Sequence, residues 1–115
     1  MEDRSADRLK NEAAKLENAV AIIVDLTNED DISKLIQTIK LNHSDLNIAI
    51  LNAGARNDYA PYCDEYDLAY AKSEINTNYL ANLRLTHALE PLLSTRAEAA
   101  FVVTTSGLAF VPNLN

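Results

Sequence analysis

Apolar residues recur along the 115-residue chain in two patterns, one typical of helices and one typical of strands. From Ser5 to about Leu16, apolar side chains recur at every third or fourth position among basic and acidic ones, which predicts an amphipathic helix. A second, acidic helix is predicted to begin after Thr27 or Asn28, either of which can cap it. A third is predicted from near Tyr66 to Glu90, where Pro91 favours termination.

Three short apolar runs separate these helices and predict strands. They cover residues 19–24, 47–51 and 100–104, and the first is continuously apolar, as expected for a strand covered on both faces. The resulting order is helix, strand, helix, strand, helix, strand. This alternation predicts an α/β fold, with a parallel sheet and helices on both of its faces.

Composition narrows the class of protein and of partner. With 48% hydrophobic residues, residues 1–115 are sufficient for one domain with a modest core. A net charge of −7 argues against nucleic-acid and anionic-membrane partners, and no apolar run approaches the roughly 20 residues of a membrane span. Because Cys63 is the single cysteine and no secretory signal is evident at the N-terminus, we predict a cytoplasmic protein that binds a small ligand.

Polar residues follow each predicted strand, at the edge where parallel sheets bind ligands. They are Asp25, then Asn52-Ala53-Gly54, then Thr105-Ser106-Gly107. Gly54 lets the backbone bend or approach a ligand where a Cβ would clash, and Asn52 offers both a donor and an acceptor. An ordinary strand-to-loop turn is the competing interpretation of the Asn-Ala-Gly tripeptide. The coincidence of three polar strand ends favours a binding site.

Four segments resemble the short-chain dehydrogenase/reductase family, and together they run over essentially the whole chain. Val24-Asp25-Leu26-Thr27 is similar to the end of the family's third strand. Leu51-Asn52-Ala53-Gly54 is similar to its Asn-Asn-Ala-Gly motif, with Leu51 in place of the first Asn.

The other two segments lie in the second half of the chain. Glu74-Ile75-Asn76-Thr77-Asn78-Tyr79-Leu80 resembles the family's long central helix, and the thirteen residues from Asn78 to Pro91 select Asn78 over Asn76 as its Asn. Residues 101–112 resemble the fifth strand and the loop that supplies the catalytic Ser, which is Ser106 here.

The resemblance implies a partial Rossmann-type, doubly wound parallel sheet of three strands and three helices, truncated at both ends. It also implies roles for individual residues. Asp25 and the backbone N–H of Leu26 would hold the adenine of NAD or NADP, and Asn52–Gly54 would line the cofactor ribose. Asn78 would position a water of the proton relay, and Ser106 would hydrogen-bond the substrate carbonyl oxygen. No metal site is predicted.

The family's Gly-rich phosphate loop and its catalytic Tyr-x-x-x-Lys pair do not occur in the sequence. We therefore interpret the chain as an internal fragment of an NAD(P)-dependent oxidoreductase that acts on a small carbonyl or alcohol by hydride transfer. A general acid or base typically contributes 10²- to 10⁴-fold to the rate. We expect no turnover by the chain alone, and cofactor binding by it is doubtful.

Two other functions compete with this one. The first is a non-catalytic dinucleotide-binding or interaction module that forms homo-oligomers through the helix near residues 66–90, as the resemblance implies. The second is a receiver-type signalling domain with Asp25 as phosphoacceptor and Thr104 or Thr105 as switch hydroxyl, for which neither an acidic pair for Mg²⁺ nor a suitable Lys is evident.

Structural roles compete at individual positions as well. Ser106 could satisfy a backbone group, Asn78 could bond a neighbouring strand, and Asp25 could be a cap only. His43 and His87 are not expected to be catalytic, since neither follows a strand. In the family's sheet order, two absent strands would separate the run at 19–24 from that at 47–51. The chain would then aggregate or pair these two strands directly.

Overall fold

Two short parallel strands and four α-helices form the regular structure of residues 4–56, 68–107 and 110, which the computed structural model describes. None of the described helices is long and apolar enough to cross a membrane. The helices are α1 (Arg4–Ala13), α2 (Glu29–Asn42), α3 (Leu68–Ile75) and α4 (Ala81–Leu93), and a five-residue π-helical segment, Asn76–Leu80, joins α3 to α4. We call this segment the π turn. The strands are β1 (Ile48–Leu51) and β2 (Ala100–Val103).

The two strands pair in parallel, in a register that joins Leu51 to Val103. The ladder extends past the last pair, because the backbone N–H of Thr104 donates to the carbonyl of Leu51 at 3.0 Å. Residues 52–56 and 104–107 therefore leave the sheet at the same edge. This confirms the predicted α/β class and the predicted strands at 47–51 and 100–104 to within one residue.

Helix α2 begins as the sequence predicts. Asn28 is its N-cap, and the Asn28 side chain accepts hydrogen bonds from the backbone N–H groups of Asp30 and Asp31. Three acidic residues in the first turn add a favourable interaction with the helix dipole. The cap fixes the point at which the chain leaves the predicted adenine-binding segment and enters the helix.

The long third helix extends three residues beyond its predicted end. Pro91 lies inside α4, which continues to Leu93, and the backbone N–H of Ser94 still donates to the carbonyl of Glu90. A proline removes only its own N–H, and so close to the end of a helix only the last turn remains to be disturbed. The expected termination at Glu90 is therefore wrong.

The hydrophobic core lies on one face of the sheet, where α2 and α4 cover β1. Its buried members are Ile32 and Ile36 of α2, Ala49 and Leu51 of β1, and Leu85, Leu89 and Leu93 of α4. The alternate residues of β1 point the other way, and Ile48 and Ile50 are 51% and 67% exposed. Within the described residues, the second face of the sheet is thus largely bare.

The predicted strand at residues 19–24 does not form. Residues 19–25 carry no regular secondary structure, and β1 and β2 alone make up the sheet among the described residues. An apolar run becomes a strand only when a neighbouring backbone accepts and donates its hydrogen bonds. The suggestion that this run pairs directly with residues 47–51 is also wrong, since residues 19–25 form no strand and β2 is the neighbour of β1 among the described residues.

Candidate functional site

The carboxyl ends of β1 and β2 are joined by a side-chain hydrogen bond. The hydroxyl of Thr104 donates to Oδ1 of Asn52 at 2.8 Å. Both residues are exposed, so the bond links the two strand ends and leaves them accessible to solvent. The Asn52 amide nitrogen remains a donor that a ligand at this edge could use.

Asn78 ties the π turn to the segment that follows β1. Its Oδ1 accepts from the backbone N–H of Ala55 at 2.6 Å, and its Nδ2 donates to the carbonyl of Ala55 at 2.7 Å. This pair of bonds fixes the orientation of the amide, because the reversed amide would place like groups together. The Asn78 side chain thus holds the polypeptide backbone beside Gly54. This agrees with the structural alternative given for Asn78, a bond to a neighbouring strand, except that the partner lies just after β1.

The π turn is what presents Asn78 at this point. The backbone N–H of Ala81 bonds the carbonyl of Asn76, five residues back. Asn76, Thr77 and Asn78 all have low helix propensity, which makes a local departure from the α-helix inexpensive. Single π turns within helices occur frequently at functional sites.

Gly54 is not required by backbone strain. No described glycine has a positive φ. A Cβ added to Gly54 would lie 3.6 Å from Oδ1 of Asn78, an ordinary contact distance. The backbone at Gly54 therefore does not need a glycine in order to bend, and close approach by a ligand is the other reason that the sequence offers.

Asp25 and Leu26 lie in a local turn before α2. Thr27 donates its backbone N–H and its hydroxyl to Oδ1 of Asp25, at 2.8 and 2.7 Å. These two bonds, the hydroxyl first, hold the pKa of the Asp25 carboxyl below its ordinary value. The side chain of Leu26 packs partly against the core, so a contact to a cofactor would come from its backbone.

The predicted site residues thus fall into two groups. The first group lies at the carboxyl edge of the sheet: residues 52–54 follow β1, Ser106 follows β2, and Asn78 bonds the segment after β1. Ser106 is exposed and lies three residues after the end of β2. The hydrogen bonds of Asp25 go to its own turn and to Asp31 in α2. No hydrogen bond joins the second group to the first within the described ranges.

Sequence reasoning missed two residues that bond the π turn, Arg84 and Asn82. Arg84 donates to Oδ1 of Asn76 at 2.8 Å, and its Nε lies 3.3 Å from a carboxylate oxygen of Glu29. The side chain of Asn82 donates to the carbonyl of Asn78 at 2.9 Å.

Other candidate groups lie apart from this edge. A cleft of about 350 Å³ opens at the opposite, amino end of β2, between Arg96, Glu90 and Phe101. No group of three or more His, Cys, Asp or Glu side chains that could hold a metal ion occurs in the part of the chain that the structure describes. Cys63 lies outside the described residues.

Comparison with known proteins places this geometry in a family. The sequence model of the short chain dehydrogenase family matches residues 1–115. Comparison with curated proteins gives no match.

Several solved structures share the fold. The putative carbonyl reductase Sniffer of Caenorhabditis elegans has 22% identity and a TM-score of 0.72 over 86% of this chain and 47% of its own. A 7α-hydroxysteroid dehydrogenase complexed with NADH and 7-oxo glycochenodeoxycholic acid has 20% identity and a TM-score of 0.84, over 98% and 45%.

A bulky-bulky ketone specific alcohol dehydrogenase from Comamonas testosteroni has 23% identity and a TM-score of 0.76, over 95% and 45%. The chain therefore spans less than half the length of these structures. At these identities, the likeness establishes the shared fold.

Proposed function

We propose, since the chain belongs to the short chain dehydrogenase family, that it supplies the carboxyl edge of the cofactor site in an NAD(P)-dependent oxidoreductase. One observation carries this proposal: the bond of Asn78 to Ala55 and that of Thr104 to Asn52 bring three separate segments to one polar edge. In α/β sheets, this edge is where dinucleotides bind.

The residues at the edge fit a dinucleotide chemically. Gly54 leaves room beside the backbone, and the Asn52 amide can donate to a ribose hydroxyl. The carboxylate of Asp25 and the backbone N–H of Leu26 can hold an adenine by its donor and acceptor edge. When bound, the reduced cofactor would supply hydride to a carbonyl, and the oxidised cofactor would accept hydride from an alcohol.

Ser106 is the proposed contact to the reacting oxygen. Its hydroxyl can donate to a substrate carbonyl, where negative charge develops as hydride arrives. Asn78 has both amide groups on Ala55, so in this arrangement its side chain positions the backbone beside the cofactor. A water of the proton relay would then bind the Asn78 backbone carbonyl, which the Asn82 side chain also reaches.

A small carbonyl compound or alcohol is the proposed substrate class of the whole enzyme. The solved structures named above include a carbonyl reductase and a ketone-specific alcohol dehydrogenase, which supports this class. One of them was solved with NADH, which supports a nicotinamide cofactor. The choice between NAD and NADP stays open, and the absence of turnover by the chain alone and its cytoplasmic location stay predictions.

Saturation-transfer NMR of the chain with NADH tests the proposal. We expect transfer to adenine and nicotinamide protons, with a dissociation constant on the order of 1 mM because the chain lacks the Gly-rich loop. The matched control is Gly54→Val, whose side chain fills the space through which the cofactor would approach the protein backbone. Equal transfer to NADH in both proteins, or none in either, would contradict the proposed site.

A second role, self-association through the long helix, is favoured by an exposed apolar stripe. Ile75, Tyr79 and Leu83 are spaced at three to four residues and are 56%, 63% and 53% exposed. Sedimentation equilibrium is expected to show a dimer that Leu83→Glu dissociates and that Lys72→Glu on α3 leaves intact. A monomer at all concentrations would remove this role.

A further inference from the structure

The side chain of Arg84 spans two elements of the site. From α4 it reaches back to the π turn, where Nη1 donates to Oδ1 of Asn76, and across to α2, where Nε meets the carboxylate of Glu29. Glu29 lies in the first turn of α2, immediately after the segment of Asp25 and its cap. Arg84 therefore bonds a residue near each of the two groups of predicted site residues, between which the described residues show no direct hydrogen bond.

We propose that Arg84 is a positioning residue: it holds the π turn against the start of α2, so that Asn78 meets the Ala55 backbone. The assignment deepens the proposed function and rests on it for its consequence, the alignment of the two ends of the cofactor site.

The chemistry of the guanidinium suits this role. Its planar donors point in fixed directions, so one side chain can bond an amide oxygen on one side and a carboxylate on the other. The Arg84 side chain is 30% exposed, whereas that of Glu29 is 78% exposed. The bond to Asn76 is therefore the better shielded of the two, and we assign it most of the effect.

Asn82 completes the positioning of the turn. Its Nδ2 donates to the carbonyl of Asn78, while its Oδ1 is buried and receives no hydrogen bond from the described residues. A buried acceptor without a donor is costly. The Asn82 side chain keeps this orientation because it bonds the backbone carbonyl of Asn78. The side chain of Asn78 in turn bonds Ala55.

Amide hydrogen exchange of Ala55 measures the proposed effect directly, because its N–H is the donor to Asn78. Arg84→Met is expected to speed the exchange of this amide about tenfold, the loss expected when a charge-assisted bond goes. Arg8→Met, an exposed arginine of α1, is the matched control. Arg84→Lys keeps the charge without the fork and is expected to fall between the two proteins.

Amides of Ile36 and Leu89 report the core. Faster exchange at Ala55 with unchanged core exchange supports the assignment, and equal Ala55 exchange in Arg84→Met and Arg8→Met overturns it. If Arg84→Met does not fold, Asn76→Ala removes the acceptor within the turn. It must then speed Ala55 exchange to a similar extent, and unchanged exchange overturns the assignment.

The exchange measurement needs no dinucleotide, so it separates this assignment from the proposed function. Failure of the unmodified chain to bind NADH would overturn the function and leave the Ala55 result as it stands. If NADH binds, Arg84→Met is expected to weaken binding about fivefold relative to Arg8→Met. Equal binding by these two variants would overturn the consequence drawn for the cofactor site.

Discussion

The segments after β1 and before α2 carry the same kind of predicted role, but they are built differently. The backbone after β1 is held by residues distant in sequence, because Asn78 bonds Ala55 from 23 positions away and Thr104 bonds Asn52 from 52 positions away. The segment that ends at Asp25 is held by Thr27, two positions away, and by Asp31, six positions away.

The difference follows from what precedes the two segments, which is a paired strand in the first case and an unpaired apolar run in the second. β1 is hydrogen-bonded to β2 and is covered by α2 and α4. The segment after β1 therefore starts from a strand that is held in place. Residues 19–25 have no strand neighbour among the described residues, and only local turn bonds remain. A strand end becomes a rigid site when its strand is paired and covered.

The largest expected effect comes from removing core packing between α4 and β1, the strand that precedes the first segment. Leu89 is 5% exposed in the core, and Leu89→Ala is expected to lower the free energy of unfolding by about 2–5 kcal/mol. Leu41→Ala, at an 81% exposed leucine of α2, should change it by less than about 0.5 kcal/mol. Urea denaturation measures both, and similar losses would contradict the one-sided core.

Removal of the long-range bond comes second. Asn78→Ala deletes both bonds to Ala55 and is expected to cost about 1–2 kcal/mol, at the low end for two exposed hydrogen bonds. Asn78→Asp should cost at least as much, because a carboxylate oxygen would face the Ala55 carbonyl. Asn42→Ala, at the exposed end of α2, is the control in the same denaturation experiment. If Asn78→Ala leaves the free energy of unfolding unchanged, the two hydrogen bonds between Asn78 and Ala55 are not formed in solution.

Gly54→Ala separates stability from binding. With no positive φ and an ordinary contact distance for the added Cβ, the free energy of unfolding should stay the same or rise by up to about 1 kcal/mol. NADH binding should nevertheless weaken about tenfold if the cofactor approaches this backbone. Thermal unfolding and an NADH titration of one protein check both. A destabilised variant would contradict the described backbone, and unchanged binding would contradict the proposed contact.

The smallest expected effect is a pKa change at the locally built segment. Thr27→Val removes the hydroxyl donor and should raise the pKa of Asp25 towards its ordinary value, while the backbone N–H keeps part of the shift. Since the folded-state pKa is lowered, the stabilising contribution is present above the ordinary pKa of Asp. It is lost as pH falls through the lowered pKa. Carbon NMR titration measures this, with Thr38→Val as control, and an unchanged pKa would contradict the turn.

Local signals in the sequence predicted the parts of this fold that depend on local chemistry. The Asn28 cap and the two apolar runs at 47–51 and 100–104 lie where the pattern places them. The strand predicted at 19–24 failed because an apolar run does not specify whether a neighbouring strand exists to pair with it. Pro91 misled because its effect depends on how much helix follows it.

The candidate site was predictable to the same extent. Residues Asn52 and Asn78 are recognisable from their motifs, and both take part in bonds at the strand ends. The network of Arg84 with Asn76 and Glu29 was not predictable, because it joins two helices whose packing is set by the core. Arg84 and Glu29 lie in none of the family's motif segments, and Asn76 lies in one without being its matched Asn.

A map of backbone amide shifts on addition of NADH tests the central claim, that the paired strand ends form a dinucleotide site. We predict saturable changes at residues 53–55 and at Leu26 and Thr27, with no change at Arg96 and Ala97 beside the cleft at the other end of β2. Changes confined to that cleft, or no saturable change at residues 53–55, would contradict the account.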